Sequence, residues 1–310
     1  MPRVDKGLAT AFDVRMHRSI GLLDHLAVLE IGGTDAATFL QGQLTNDVRR
    51  LSAGDCILCA ACTPQGRVHA LIRAFRSGDH ILALMPRELI GPTRDALRRY
   101  VLRARVTLED RSTEWFVAGC LDAKELLQAG FTPPPAGKAN DQRGITLATV
   151  PGDPARVWLV GGKRQIPELL SGASEEPAFG QRWKLADIRA GLPQIYQATC
   201  DLFVPQMLNL DLLDGISFEK GCYTGQEIVA RTQHLGRIKR RLFLIDLPAA
   251  DHHVGDSLDL DDGRSGRLVE CASVDGQHLG LAVFSLESGG GGERHPGCLP
   301  ASAARPVADS

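Results

Sequence analysis

No run of apolar residues in the 310-residue chain approaches the ~20 needed to cross a bilayer, so a membrane-spanning helix is not expected. The start, Met1 to Asp13, has no apolar h-region, which argues against a secretory leader. Net charge is only −2, too little for a global field that would draw the chain to nucleic acid or to an anionic membrane. The eight cysteines (56, 59, 62, 120, 200, 222, 271 and 298) are too scattered for a disulfide scaffold. Free thiols in a reducing cytoplasm are the consistent expectation. What remains is ordinary for a soluble globular chain, 44% hydrophobic and 23% charged, and the length suggests two or three domains.

Charge is nevertheless distributed unevenly. Arg231, Arg237, Lys239, Arg240 and Arg241 fall within eleven residues that contain no acid. From residue 247 onward, ten acidic residues face four arginines. The basic run suits phosphate contacts to tRNA, and suits equally a polyglutamate tail or a solvated strand entry.

Residues 26–31 read as a strand stopped by Gly32-Gly33, with Thr34 as the cap of a helix carrying Phe39 and Leu40. Gln41 to Asp47 is polar and small, either a plain loop or a pocket wall. Cys56, Cys59 and Cys62 have the spacing of an iron–sulfur motif, but they lie on what reads as a buried strand and the fourth Cys-Pro is missing. A hairpin turns at Thr63-Pro64-Gln65-Gly66, and a helix follows over 86–102, restarted at Pro92. A second unit begins near Trp115: a strand to Cys120, a capping box at Asp122 and Glu125, then strands at 144–150 and 156–160 and a short helix. Both stretches have the order of a ferredoxin-like split βαβ fold. Gly172 to Gly180 reads as a linker, and helix 181–190 carries Trp183. After residue 242 the pattern is all-β, with Asp262-Gly263 and Asp275-Gly276 as hairpin turns.

The stretch with most chemical content is Lys220-Gly221-Cys222-Tyr223-Thr224-Gly225-Gln226-Glu227. It ends a segment from Leu202 to Glu219 that has no clean period and reads as an ordered, packed loop. Thr224 and Glu227 fit a capping box, which would set Cys222 two residues ahead of a helix start with the cation Lys220 close by. Amides at a helix N-terminus and a nearby ammonium favour a thiolate. The alternative is a buried, inert cysteine in a tight glycine turn.

This stretch, with Phe203-Val204-Pro205-Gln206 before it and Ile228-Val229-Ala230-Arg231 after it, resembles the signature of the YgfZ family. That family comprises folate-binding relatives of the glycine-cleavage T-protein, an aminomethyltransferase. The likeness extends to Phe39 through Val48 and to the turn Thr63-Pro64-Gln65-Gly66-Arg67. It implies an α+β, T-protein-like fold of two interleaved ferredoxin-like domains (1–25 with 112–183, and 26–111 with 184–236). A small C-terminal β-barrel (237–290) and a flexible tail (291–310) complete it, around a central folate-sized hole. It further implies tetrahydrofolate binding and a role in keeping iron–sulfur enzymes active, including enzymes that modify tRNA.

Carried over residue by residue, the resemblance makes Cys222 the key thiol, redox-active or a transient ligand, with Lys220 beside it. It makes Trp183 a pterin-stacking ring, and Leu26 stands where a second family tryptophan would be. Arg189 replaces a glutamate, and Tyr223, Gln226 and Arg231 complete the expected folate contacts. The T-protein's Asp-Asp pair is missing, with His69 nearby in its place, which argues against aminomethyl transfer. A one-carbon transferase would need another acid, such as Asp47 or Asp211.

Overall fold

The structure is a computed structural model, and it describes residues 19–150, 155–170, 178–234, 236–260, 263–286 and 305–306. Most of the expected flexible tail, the start of the first domain, most of the 172–180 linker and Asp262 lie outside the described residues.

In chain order the elements begin with β1 (Ile20–Leu22), β2 (Leu26–Gly32), α1 (Ala36–Gln41), β3 (Ile57–Cys62), β4 (Val68–Ser77), β5 (His80–Pro86), α2 (Ile90–Arg98) and β6 (Thr107–Asp110). Then come β7 (Trp115–Cys120), α3 (Ala123–Gln128), β8 (Ala139–Gln142), β9 (Ile145–Val150), β10 (Arg156–Gly162), α4 (Gln165–Leu169) and α5 (Phe179–Arg189). The remainder is α6 (Gln226–His234), β11 (Arg240–Asp246), β12 (Ser257–Asp259), β13 (Ser265–Val274), β14 (Gln277–Ser285) and β15 (Arg305–Pro306).

These strands form three antiparallel five-stranded sheets. One is ordered β3-β4-β5-β2-β6. Without its edge strand β3, the order β4-β5-β2-β6 with α1 and α2 as connections is that of a split βαβ unit. The sheet β1-β7-β10-β9-β8 repeats the plan. Here β8 is the extra edge, and β1, from an earlier part of the chain, takes the position that β6 holds in the other sheet.

Helix α5 seals the second sheet by an arrangement of aromatic on glycine. Phe179 and Trp183, four residues apart and so on one face, lie over Gly21 and Gly119. Those two glycines are cross-strand partners in β1 and β7. A Cβ on Gly119 would stand 2.4 Å from the Trp183 ring, and one on Gly21 would stand 2.4 Å from Phe179. Glycine inside a strand here marks close approach of a large side chain. Trp183 is fully buried beside Trp158, ring centroids 6.0 Å apart.

The third sheet, β11-β14-β13-β12-β15, corrects an expectation. No closed barrel forms among the described residues; the sheet is open. Its β11 edge is instead covered by the loop that follows Pro205. Asn209 Nδ2 donates to the Leu242 carbonyl (3.0 Å), and Arg241 pairs with Asp211 through both guanidinium nitrogens (2.5 and 2.8 Å). Covering an edge with a loop shields it without closure. The β13–β14 turn has the expected chemistry, with Asp275 (φ 50) and Gly276 (φ 77) both left-handed.

Two helix starts differ from the sequence reading. Thr34 does not cap α1. Asp35 occupies the N-cap position without a side-chain cap bond, and its carboxylate accepts from the Arg105 amide (2.7 Å). Glu125 completes no capping box; Asp122 caps Lys124 while Glu125 reaches back to Ser19. Both acids serve tertiary contacts instead. No helix among the described residues is long and apolar enough to cross a membrane.

Candidate functional site

The two motifs at 41–47 and 215–224 are built against each other, more than 160 residues apart in sequence. Thr45 Oγ1 donates to the Gly215 carbonyl (2.7 Å), and Asn46 Nδ2 donates to Leu58 and Asp214 carbonyls (2.8 and 2.6 Å). The Ser217 amide returns a bond to the Thr45 carbonyl (2.9 Å) and the Thr224 amide to Gly42 (3.1 Å). Gln41 to Asp47 is thus the bed on which the signature turn rests. Of the Leu202 to Glu219 segment expected to be a packed loop, Phe203 to Leu210 is packed, with a short 3-10 turn over Pro205–Leu208, whereas Leu202, Leu212 and Phe218 are exposed.

Lys220 is part of this bed, which changes its expected role. Its ammonium donates to the Leu44 and Asn46 carbonyls (2.6 and 2.9 Å) and lies 5.1 Å from the centre of the Tyr223 ring. The residue is buried, and burial pulls its pKa down to about 8. The ammonium is committed inward and holds the turn. The expected capping box at Thr224 is likewise corrected: the Thr224 hydroxyl donates to Gln43 (3.1 Å), and Glu227 pairs with Arg231 (2.8 Å). Helix α6 starts at Gln226, after Gly225 with φ 83. A Cβ on Gly225 would stand 2.5 Å from the Thr63 carbonyl, so the turn sits directly on the β3–β4 hairpin.

Cys222 tops this rigid base. Of the seven cysteines among the described residues, it is the one that is exposed; Cys200 and Cys271 are half-buried and the others buried. Cys56, Cys59 and Cys62 are inert core thiols. Burial pushes the first two up to about 12 and the third further, and no metal-ligating group includes them among the described residues.

The expected folate residues are not gathered around one opening. Trp183 is closed on one side by Gly119 and has the Arg156 guanidinium 5.0 Å from its ring centre, so no face is free for a pterin. Leu26 is buried at a small chamber where all three sheets meet, lined also by His25, Arg73, Lys184, Asp187 and Glu270. The chamber's volume is about 20 Å³. Its charges are strongly perturbed. Burial, aided by Lys184, drives His25 down to about 3, and burial drives Glu270 up to about 7. The Tyr196 hydroxyl donates to Glu270 (2.8 Å), and Lys184 stands 3.6 Å away. Arg189 is exposed and bonds Gln277. Tyr223 is buried, Gln226 is half-buried, and Arg231 is exposed but ion-paired.

The larger opening lies elsewhere. A cleft of about 480 Å³ runs between α2 and the β3–β4 hairpin, lined by Gln43, Thr63, His69, Thr93, Tyr100 and Asp201 among others. It shares Gln43 and the hairpin with the signature turn. One of the two sequence readings of Gln41 to Asp47, a pocket wall, is met by Gln43; the other walls come from three further segments that carried no such signal. The two acids considered for a transferase are occupied elsewhere. Asp47 pairs with Arg49, and Asp211 pairs with Arg241.

The fold resembles that of the glycine cleavage system aminomethyltransferase T from Bartonella henselae. The TM-score is 0.67, over 87% of this chain and 79% of that one, at 14% identity. No family model matches the chain. Two relatives named tRNA-modifying protein YgfZ are each 33% identical to it. That of Yersinia pestis (strain Pestoides F) aligns over 263 residues, 81% of this chain and 79% of the relative. That of Pectobacterium carotovorum subsp. carotovorum (strain PC1) aligns over 252 residues, 79% and 75%. The chain belongs to the YgfZ family.

Proposed function

We propose that the chain is an accessory protein of tRNA modification that supports assembly or repair of iron–sulfur enzymes, with Cys222 as its working thiol. One observation carries this: Cys222 is the exposed thiol among the described cysteines, held on a turn that two distant motifs build together. An accessible thiol on a rigid base can relay redox equivalents or ligate a cluster metal transiently. The names of the two YgfZ relatives support the tRNA side of the reading.

Tetrahydrofolate, or a related folate, is the cofactor that family and fold imply. The residues expected to hold it do not fit it as they stand. Trp183 offers no free face and the chamber beside Leu26 is water-sized, so no chemical step is derived through folate. We read the domains as 1–25 with 112–183, 26–111 with 184–236, and 237–290, in a cytoplasmic protein. Contacts to tRNA, where made, fall to Arg237, Lys239 and Arg240, which are exposed; Arg231 and Arg241 are held in ion pairs.

The test is rescue. In cells lacking the endogenous relative, the level of a tRNA modification made by an iron–sulfur enzyme is measured with wild type and with Cys222→Ser at equal expression. Wild type restores the modification and Cys222→Ser does not. Full restoration by the serine variant would reduce Cys222 to a surface residue.

A further inference from the structure

His69 and Asp201, which line the large cleft, belong to a group that the reading above does not use. His69, at the start of β4, meets Cys200 and Asp201 from the segment after α5. Their ligand atoms lie within 4.8 Å of one another. We propose that His69 Nδ1, Cys200 Sγ and an Asp201 carboxylate oxygen bind one divalent cation of the zinc class, with the fourth position open to the cleft.

The spacing suits a tetrahedral ion. Zinc–nitrogen and zinc–oxygen bonds of about 2.05 Å give a ligand–ligand edge of about 3.3 Å, and a zinc–sulfur bond of about 2.3 Å gives a sulfur–nitrogen edge of about 3.6 Å. The observed separations are 3.3 Å from His69 Nδ1 to Asp201 Oδ1 and 3.3 Å from His69 Nδ1 to Cys200 Sγ. One thiolate and one carboxylate also balance a double positive charge. The mixed sulfur, nitrogen and oxygen set is typical of zinc and its near neighbours, and three protein ligands leave a position for water or a small ligand.

The rival arrangement is a nucleophilic Cys-His-Asp triad, and the geometry argues against it. A triad needs the thiol on one ring nitrogen and the carboxylate on the other. Here both partners address Nδ1, while Nε2 is buried without a partner among the described residues.

The site is also preformed. The Asp201 amide donates to Val68 (2.9 Å), and the Val68 amide donates to Phe203 (2.8 Å). Arg67 ties down the Leu202 carbonyl (2.7 Å). Asp201 is held at φ 61. The cleft wall also holds an unpartnered buried polar group: Thr93, 0% exposed, has an Oγ1 without a partner among the described residues. The inference does not rest on the role given to Cys222.

The test uses the full-length chain, stripped of metal and titrated with cobalt(II). One equivalent should produce the near-ultraviolet thiolate charge-transfer band and the intense visible bands of a tetrahedral ion, and zinc should abolish both. Cys222→Ser should keep the spectrum. His69→Ala and Cys200→Ser, folded by circular dichroism, should lose it with at least a hundredfold weaker binding. Should Cys200→Ser not fold, X-ray absorption of cobalt-loaded Cys222→Ser decides, with one sulfur and an imidazole supporting the site and no sulfur refuting it. A folded wild type without the thiolate band, or a band that follows Cys222 in place of Cys200, overturns the proposal.

Discussion

Replacing Lys220 by methionine separates the structural role of the signature turn from any role as a thiol activator. The ammonium donates to two buried carbonyls, Leu44 and Asn46, at 2.6 and 2.9 Å. Methionine fills a similar volume but leaves both carbonyls without that donor. A hydrogen bond to a charged group contributes about 1.5–3 kcal/mol, and part of that is offset because the variant no longer buries a charge. A net loss of about 2–4 kcal/mol at pH 7 follows. The pH dependence adds a second check. Burial lowers the Lys220 pKa from 10.5 to about 8. Below pH 8 folded and unfolded chains are both protonated at this residue, and the folded state bears the cost of burying the charge. Between pH 8 and 10.5 the unfolded chain holds the proton more strongly, so the wild type gains stability as pH rises, by at most about 1.4 kcal/mol per unit. The methionine variant lacks that gain, and the gap between the two should widen from pH 7 to pH 9.5. Urea unfolding at both values measures it. Equal stability at pH 7, or a gap that narrows by pH 9.5, would refute the inward-facing, structural lysine.

Other outcomes are expected from the same geometry. Glu270→Gln should keep the Tyr196 bond but remove a carboxyl whose pKa burial raises to about 7. A raised pKa gives stability that is complete below the unfolded value of 4.5 and lost as pH rises through 7. The variant should therefore flatten the decline over that window, with His25, Lys184 and Asp187 as the neighbouring charges left in place. Gly119→Ala forces a methyl to within 2.4 Å of the Trp183 ring and should destabilise by about 1–3 kcal/mol in thermal or urea melts. Gly91→Ala, with nothing within 4 Å of the added Cβ, is the control. If Arg237, Lys239 and Arg240 contact tRNA phosphates, the plot of log affinity against log salt should have a slope of about −2 to −3. Replacing all three with glutamine should bring that slope near zero, and a slope that survives would move the contact elsewhere.

Much of the fold is legible in the sequence because its strands are apolar runs bounded by glycine and turn residues. Trp115–Cys120 is a strand as read, and Asp275-Gly276 makes the hairpin turn that its chemistry demands. Local patterns failed where a side chain has a partner far along the chain. Thr224 looks like a helix cap, yet it bonds Gln43; Glu125 looks like half of a capping box, yet it bonds Ser19. Lys220 sits two residues from Cys222 in sequence, but carbonyls of the 44–46 segment turn its ammonium away into the interior. Of the two readings of Cys222, an activated thiolate or a buried, inert thiol, its exposure removes the burial, while the cap and the cation that were to activate it are engaged elsewhere. Trp183 defaults to core on residue type alone, and it is fully buried on the glycine in β7. Of the cleft, only the wall at Gln43 was among the sequence readings, and the His69, Cys200 and Asp201 group was not legible. A histidine on a strand and an adjacent Cys-Asp pair carry no joint signal until β4 and the segment after α5 pair.

The most direct measurement of the central claim is made in vitro. A purified iron–sulfur enzyme that modifies tRNA is exposed to a mild oxidant and assayed for remaining activity, with no addition, with the wild-type chain, and with Cys222→Ser matched in fold by circular dichroism. Protection or recovery by wild type and none by Cys222→Ser is the expected result. Equal protection by the two, or none by either, would contradict an exposed Cys222 thiol acting on iron–sulfur clients.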